Sequence, residues 1–301
     1  MKKIILASIM ASVFGIAQAQ QTGVEVYGKM RVYQETYKAG TADSLTQQTN
    51  DTSRIGFRGV ENLGRGLKAT FTVETSIGAD SPVATSLGDR TSLVGLSNQY
   101  GSLSLGRDKH SLAKATDNFD TMGGNIYGSS VATIHSVQGS RVSNGSHISM
   151  SPLKNVTINY QYAASEVAGS PAVQAGSVDV NFGPGSATIA RYDNGTNSES
   201  TLVGAKFNFE KTGTTLFTMY SEDKVVGVES RGKSVGVAQK ITSNITALAS
   251  YGEKETVKAY NLGATYNLSK RTMIHARYVN EDAVLATADV RRFGLGIEHN
   301  F

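Results

Sequence analysis

The chain contains no cysteine and no tryptophan, and only four prolines among 301 residues. The lack of cysteine excludes a disulfide framework and any thiolate metal site. The scarcity of proline, with no Pro/Ser blocks, argues against disordered or low-complexity segments. Charge is thin and mixed. There are 29 Lys+Arg against 25 Asp+Glu, and no run of one sign is long enough for a nucleic-acid-binding arm. Beyond the first 19 positions, no apolar stretch comes near the roughly 20 residues that a spanning helix needs. The five histidines (His110, His135, His147, His275, His299) show no H-E-x-x-H or close-spaced ligand pattern, and no phosphate-cradling glycine loop occurs. No cofactor, no metal and no nucleic-acid partner is implied.

Glycine is abundant, at 32 residues, alongside 13 Tyr and 10 Phe, yet hydrophobic residues are only 39% and mean hydropathy is −0.22. The opening "MKKIILASIMASVFGIAQA" has two lysines, an apolar run from Ile4 to Ile16 and Ala17-Gln18-Ala19. That is the pattern of a cleaved secretory signal peptide over residues 1–19. The apolar run is too short for a transmembrane helix. Removing it takes away Lys2 and Lys3, so the net charge of +4 falls to +2. Residues 20–301 are expected to form one domain.

The period is two almost everywhere. Val24, Val26, Met30 and Val32 share one parity, with Glu25, Lys29 and Arg31 on the other. Leu67, Ala69, Phe71 and Val73 oppose Lys68, Thr70, Thr72 and Glu74; Tyr260, Leu262, Ala264, Tyr266 and Leu268 oppose Asn261, Gly263, Thr265 and Asn267. Such alternation predicts strands with one apolar and one polar face. A helical period is not sustained outside the signal peptide. "TSLVGL", "TTLFTMY" and "NITALASY" carry apolar residues on both parities, so their orientation stays open.

Tight turns alternate with long connections. The tight ones ("ENLGRG", "NQYGS", "PLKN", "GPGS", "KTGT", "TSN", "LSKR") hold the Gly, Asn and Ser that hairpins need. The long ones are expected at 39–52, 78–89, 108–139, 166–175, 194–200, 222–231, 252–257 and 282–289. Together they join about sixteen strands, an even number suited to a transmembrane antiparallel β-barrel. The closing "RRFGLGIEHNF" alternates to its last residue, with Phe293, Leu295, Ile297, His299 and Phe301 on one face. A strand that ends on Phe, with no polar tail, fits a sheet closed by pairing its first and last strands, with an aromatic girdle at the lipid interface. A soluble β-sandwich would instead face polar residues outward around an aliphatic core.

Enzyme readings find little support. "GKSVG" (Gly232–Gly236) matches G-x-S-x-G, but a nucleophile elbow needs a strand-to-helix turn and Val235 and Val237 continue a strand. An outer-membrane hydrolase would also need an assembled Ser/His or Asp/His group. A substrate-specific channel or a surface adhesin are the remaining alternatives. Most tyrosines fall on the apolar parity, as girdle residues would, rather than forming a lumen track.

"SRIGFRGVENLGRGLKATFTVETS" resembles the second and third strands of the general porins of Gram-negative bacteria, most similarly the β-proteobacterial and neisserial branch. "DRTSLVGLSNQYGSLSLGRDKHSL" resembles that family's next hairpin and the start of its inward-folded third loop, and "FGLGIEHNF" its closing strand. The chain departs from the family at "GSHISMSP", which lacks the usual tyrosine before Ser-Pro. The resemblance implies a homotrimer of sixteen-stranded barrels in outer-membrane lipid and lipopolysaccharide. It further implies folding by the β-barrel assembly machinery and periplasmic chaperones, with Phe301 as assembly signal. The function implied is passive diffusion of small hydrophilic solutes and ions through a general pore, without enzyme activity.

Selectivity in a pore follows from diameter and lining charge. Parity puts Lys29, Arg31, Arg54, Arg58, Lys68, Lys206, Arg277 and Arg292 on polar faces, against Glu25, Glu74, Asp179 and Glu298. The resemblance adds Arg90 and Arg141. The 108–139 segment is the expected constriction loop, and its Asp108, Asp117 and Asp120 would face wall arginines across the pore. The basic excess points to weak anion preference.

Overall fold

The computed structural model describes residues 23–82, 86–123, 134–135, 141–282 and 289–301. The expected signal peptide lies outside these residues, as does much of 108–139. Strands β1 (Gly23–Ala39), β2 (Leu45–Asn50), β3 (Arg54–Gly64), β4 (Leu67–Ser76), β5 (Thr91–Asn98) and β6 (Gly101–Lys109) lead into helix α1 (Ser111–Phe119). There follow β7 (Arg141–Leu153), β8 (Val156–Ala163), β9 (Val173–Phe182), β10 (Gly185–Asp193), β11 (Ser198–Phe209), β12 (Thr214–Val225), β13 (Val228–Lys240), β14 (Ile245–Lys254), β15 (Val257–Asn267), β16 (Thr272–Asp282) and β17 (Val290–Asn300). No helix among the described residues is long and apolar enough to cross a membrane.

All strands form one antiparallel sheet that closes on itself. β1 pairs with β17 from Lys29↔Asn300 to Ala39↔Val290. On its other edge β1 pairs with β3 through Gly23–Lys29 and with β2 through Val32–Tyr37. β2 and β3 are thus two halves of one barrel strand, broken at Asp51-Thr52-Ser53, where Thr52 has φ 58°. The circuit is therefore sixteen strands wide, although seventeen segments are present. The break is re-knitted to Arg31: its N–H donates to Ser53 Oγ at 2.9 Å, and its carbonyl accepts from Asp51 N–H at 2.9 Å.

The outward face is apolar because only lipid needs to cover it. Ile189, Val203, Val235, Leu262 and Leu295 are exposed there. Outward Tyr160, Tyr220, Tyr260 and Tyr278 lie toward one end, and Phe182, Phe207, Phe209 and Phe301 toward the other. The seven tight turns fall at the phenylalanine end. At the opposite end two expected long loops are absent. Residues 222–231 are strand except for a Val226–Gly227 turn, both at positive φ (51° and 78°), and 252–257 is likewise strand apart from Glu255 and Thr256. Cross-strand pairs Glu222↔Arg231, Lys224↔Glu229 and Lys233↔Glu253 continue these ladders with alternating polarity. The segment 39–52 is also shorter as a loop than its sequence suggests, because it contains β2.

The mixed parity of "TTLFTMY" has a reason in Met219. Leu202 and Met219 point inward, with Val142, Ala163, Ala175, Ala190 and Tyr192, and form an apolar patch on the inner wall. Leu112, Ala115 and Phe119 of α1 pack onto it. The helix is a short interruption in the expected all-β chain. Its nine residues are too few for a sustained 3.6-residue period, though Leu112, Ala115 and Phe119 sit on one helical face.

Candidate functional site

α1 is held inside the barrel from its first turn. His110 caps it, its Nδ1 accepting from Ala113 N–H at 3.1 Å, and its ring stacks on Tyr192 with centroids 4.3 Å apart. Ser111 N–H donates to Gln161 Oε1 at 2.7 Å, and Gln161 Nε2 donates to the Lys109 carbonyl at 2.9 Å. Lys206 reaches up from β11 to Asn118 Oδ1 at 2.7 Å. With its apolar face on the wall, α1 turns Lys114 and Asp117 toward the lumen.

There a cavity of about 260 Å³ is lined by Lys29, Arg31, Arg54, Arg90, Lys109, Lys114 and Arg141, with Glu74, Asp108 and Asp117 as its carboxylates. Seven bases thus meet three acids. The acids are all committed. Glu74 bridges Arg90 (2.7 Å) and Arg54 (3.2 Å) and accepts from the Tyr27 hydroxyl at 3.2 Å. Asp108 pairs with Lys114 at 2.6 Å, and Asp117 pairs with Lys109. The expected picture of loop carboxylates facing wall arginines is therefore changed: Asp108 and Asp117 pair with lysines between the end of β6 and α1, and α1 presents a locally neutral edge to a basic wall.

The other residues singled out from the sequence lie elsewhere. Arg31 is on the cavity wall but buried, its Nε 2.9 Å from Asp51 and its Nη1 3.1 Å from Glu298 on β17. Arg277 is inward and buried, donating to the Ala264 carbonyl (2.9 Å), Thr265 (3.1 Å) and His275 Nδ1 (3.1 Å). Arg58 sits toward the tight-turn end, in a two-bond pair with Glu25 at 2.8 and 2.9 Å. Lys68 is exposed near the Gly64–Gly66 turn, opposite Ser97. Asp120 is buried at the C-cap of α1 rather than free in the pore. Phe301 pairs with Gly28 through both backbone groups, at 3.0 and 3.1 Å. Among the described residues, no group of three or more His, Asp or Glu could hold a metal.

Sequence reading missed the apolar seat of α1 and a second contact between loop and wall. His135 is buried, with Nδ1 2.8 Å from Ser221 Oγ and Nε2 2.8 Å from Ser234 Oγ. Ser234 is the serine of the G-x-S-x-G match. The site does not make a nucleophile: Ser234 is buried in mid-strand, and the neighbouring strand N–H groups that an oxyanion hole would need belong to the ladders with β12 and β14. Desolvation, and secondarily the charge of Lys254, push the imidazole down to about 4, too weak a base for hydrolysis near neutrality.

Residues 6–283 match the Gram-negative porin family. Outer membrane porin protein 32 of Delftia acidovorans is 36% identical over 118 residues, covering 36% of this chain and 32% of the relative. The major outer membrane protein P.IA of Neisseria meningitidis serogroup C is 40% identical over 68 residues, 23% of this chain and 18% of the relative. The chain spans about a third or less of the length of these curated relatives. Among solved structures, an anion-selective porin from Comamonas acidovorans superposes with a TM-score of 0.82 at 21% identity, covering 93% of this chain and all of that one (100%). OmpF of Salmonella typhi, in complex with daunomycin, gives 0.74 at 17% identity, over 93% of this chain and 98% of that one. At such identities the structures speak for the fold. A closed barrel with a lipid-facing band, an inward helix at its waist and a family match across most of its length make this an outer-membrane protein of a Gram-negative bacterium, a member of the Gram-negative porin family.

Proposed function

We propose that the protein is a general diffusion pore for small hydrophilic solutes and ions, with a weak preference for anions, and not an enzyme. The observation that carries this is the charge of the constriction: with Arg31 spent on Asp51 and Glu298, six lining bases remain against three carboxylates, each already ion-paired. An entering anion finds uncommitted positive charge on the wall, while a cation finds no free carboxylate among the described lining residues. Lys29, Arg54, Arg90 and Arg141 set the selectivity, Glu74 moderates it, and α1 sets the diameter. The structurally similar porin from Comamonas acidovorans is anion-selective, which agrees with this reading. Arg58, Lys68, Arg277 and Asp120 act as structural or rim charges. The assembly we propose is a homotrimer in outer-membrane lipid and lipopolysaccharide, folded by the β-barrel assembly machinery and periplasmic chaperones with Phe301 at the recognised end.

The test is a planar bilayer holding the purified protein under a KCl gradient. Stepwise conductance with a reversal potential of the sign set by chloride supports the proposal. A potential of the cation sign overturns the selectivity, and silence from folded protein overturns the pore.

A further inference from the structure

Among its described residues, the 108–139 segment touches the wall at two separated places. The first is α1. The second comprises Ile134 and His135, both buried against β12 and β13. The wall there is hollowed to receive them. A Cβ on Gly232 would collide with the Ile134 carbonyl, and one on Gly236 would collide with the Thr121 side chain. Gly204 likewise lies under Phe119, where a Cβ would come within 2.8 Å of the ring. One inward glycine on β11 and two on β13 thus fit Phe119, Ile134 and Thr121 of the segment between β6 and β7. Into this hollow His135 inserts an imidazole that meets a serine at each nitrogen, one from β12 and one from β13.

From this geometry we propose that His135 is a positioning residue for the channel: bridged between Ser221 and Ser234, it fixes the constriction loop to the wall and makes the pore aperture sensitive to acid. The proposal deepens the pore reading and rests on it. The charge that acts on the imidazole comes from the β14 side. Lys254 on β14 bears on it directly, and Lys254 is ion-paired at 3.0 Å with Asp223 on β12. The inward residues of β13 beside it, Gly232, Ser234 and Gly236, are uncharged.

The sign follows from burial. A docked imidazole held near 4, against an ordinary value of 6.5, prefers to be neutral. An undocked imidazole in water takes a proton below its ordinary value. Docking is therefore strongest above about 6.5 and weakens by roughly tenfold per pH unit down to about 4, where the docked form protonates too and the loss levels off. Removing Lys254 eliminates a repelling cation and frees the Asp223 carboxylate, so both changes bring the protonation of the docked ring to higher pH.

The test is single-channel recording in planar bilayers from pH 7.5 to 4, with folding checked by heat-modifiable gel migration. Wild type should be quiet at pH 7.5 and flicker increasingly below about 6.5. His135→Ala, and separately Ser221→Ala/Ser234→Ala, should flicker at pH 7.5 with little further acid response. Lys254→Met should retain the acid response with an altered titration, its lower limit moved above pH 4. If His135→Ala fails to fold, the serine double variant and Lys254→Met carry the test, since neither alters the loop. Quiet traces from the serine variant at pH 7.5, or the wild-type acid response surviving in His135→Ala, would overturn the proposal while leaving the pore intact. Covalent capture of Ser234 by a fluorophosphonate would also overturn it, by making that serine a nucleophile. Absence of conductance in wild type would instead be a failure of the pore reading.

Discussion

Phe301 covers Gly28. The last residue exchanges two backbone hydrogen bonds with the first strand at that position, and its ring occupies the space where a Cβ on Gly28 would stand. The same Cβ would approach the Arg54 carbonyl to 2.6 Å. Terminal residue, seam of the barrel and outward girdle thus coincide. Gly28→Val should displace the ring or the β1–β3 register and reduce the yield of folded protein by several-fold. Heat-modifiable migration after refolding measures this, and an unchanged yield would show that the contact has no part in closure.

Glu74 is the wall acid among the bases, so its neutralisation should strengthen anion preference. Arg90→Ala should do the opposite. A unit charge about 8 Å away in water is worth about 0.5 kcal/mol, so each change should move the chloride-to-potassium permeability ratio by roughly twofold. Reversal potentials of Glu74→Gln and Arg90→Ala check both signs. Equal values in the two variants would remove these residues from the selectivity filter.

Exposed lining charge is screened by salt. Between 0.1 and 1 M KCl the screening length falls from about 10 to about 3 Å. The permeability ratio should therefore approach unity as salt rises at a constant gradient ratio. A ratio independent of salt would point to diameter, not charge, as the discriminating property.

Phe119 anchors the end of α1 on Leu202, Met219 and the bare surface of Gly204. Truncating a buried Phe costs about 3–5 kcal/mol in a packed core. Phe119→Ala should leave barrel melting nearly unchanged, because the barrel does not depend on the loop. It should raise the mean conductance and its noise. A lowered melting temperature with unaltered conductance would reverse that division of roles.

Arg31 joins three parts of the seam through Asp51 and Glu298. Breaking a buried ion pair from one side costs about 3–5 kcal/mol, because the partner charge stays buried. Glu298→Gln should lower the melting temperature more than Glu25→Gln, whose pair with Arg58 is more than half exposed. Differential scanning calorimetry of the two variants gives the comparison.

The strand pattern needed only local chemistry. Alternation such as that in residues 67–74 and 260–268, with turn residues at one end, is enough to point to a barrel of about sixteen strands. A side chain's face in a strand is set by parity alone. Parity also assigned Lys29, Arg31, Arg54 and Glu74 to the lumen. It could not say which of these are spent. Arg31 and Arg277 look the same as Arg54 along the chain, yet the first two are buried in hydrogen bonds to residues 20 to 267 positions away for Arg31 and, across the hairpin, 12 and 13 positions away for Arg277. The wall patch around Met219 looked like a defect of alternation until α1 was placed on it. Likewise Ser221, Ser234 and His135 are separated by up to 99 residues, and nothing in any one segment announces their meeting. The sequence by itself determined the barrel, because a two-residue period and turn chemistry are local. Which charges remain free, and where the loop rests, only the tertiary structure decided, because both depend on contacts between strands that are neighbours in the closed circuit and far apart in the chain.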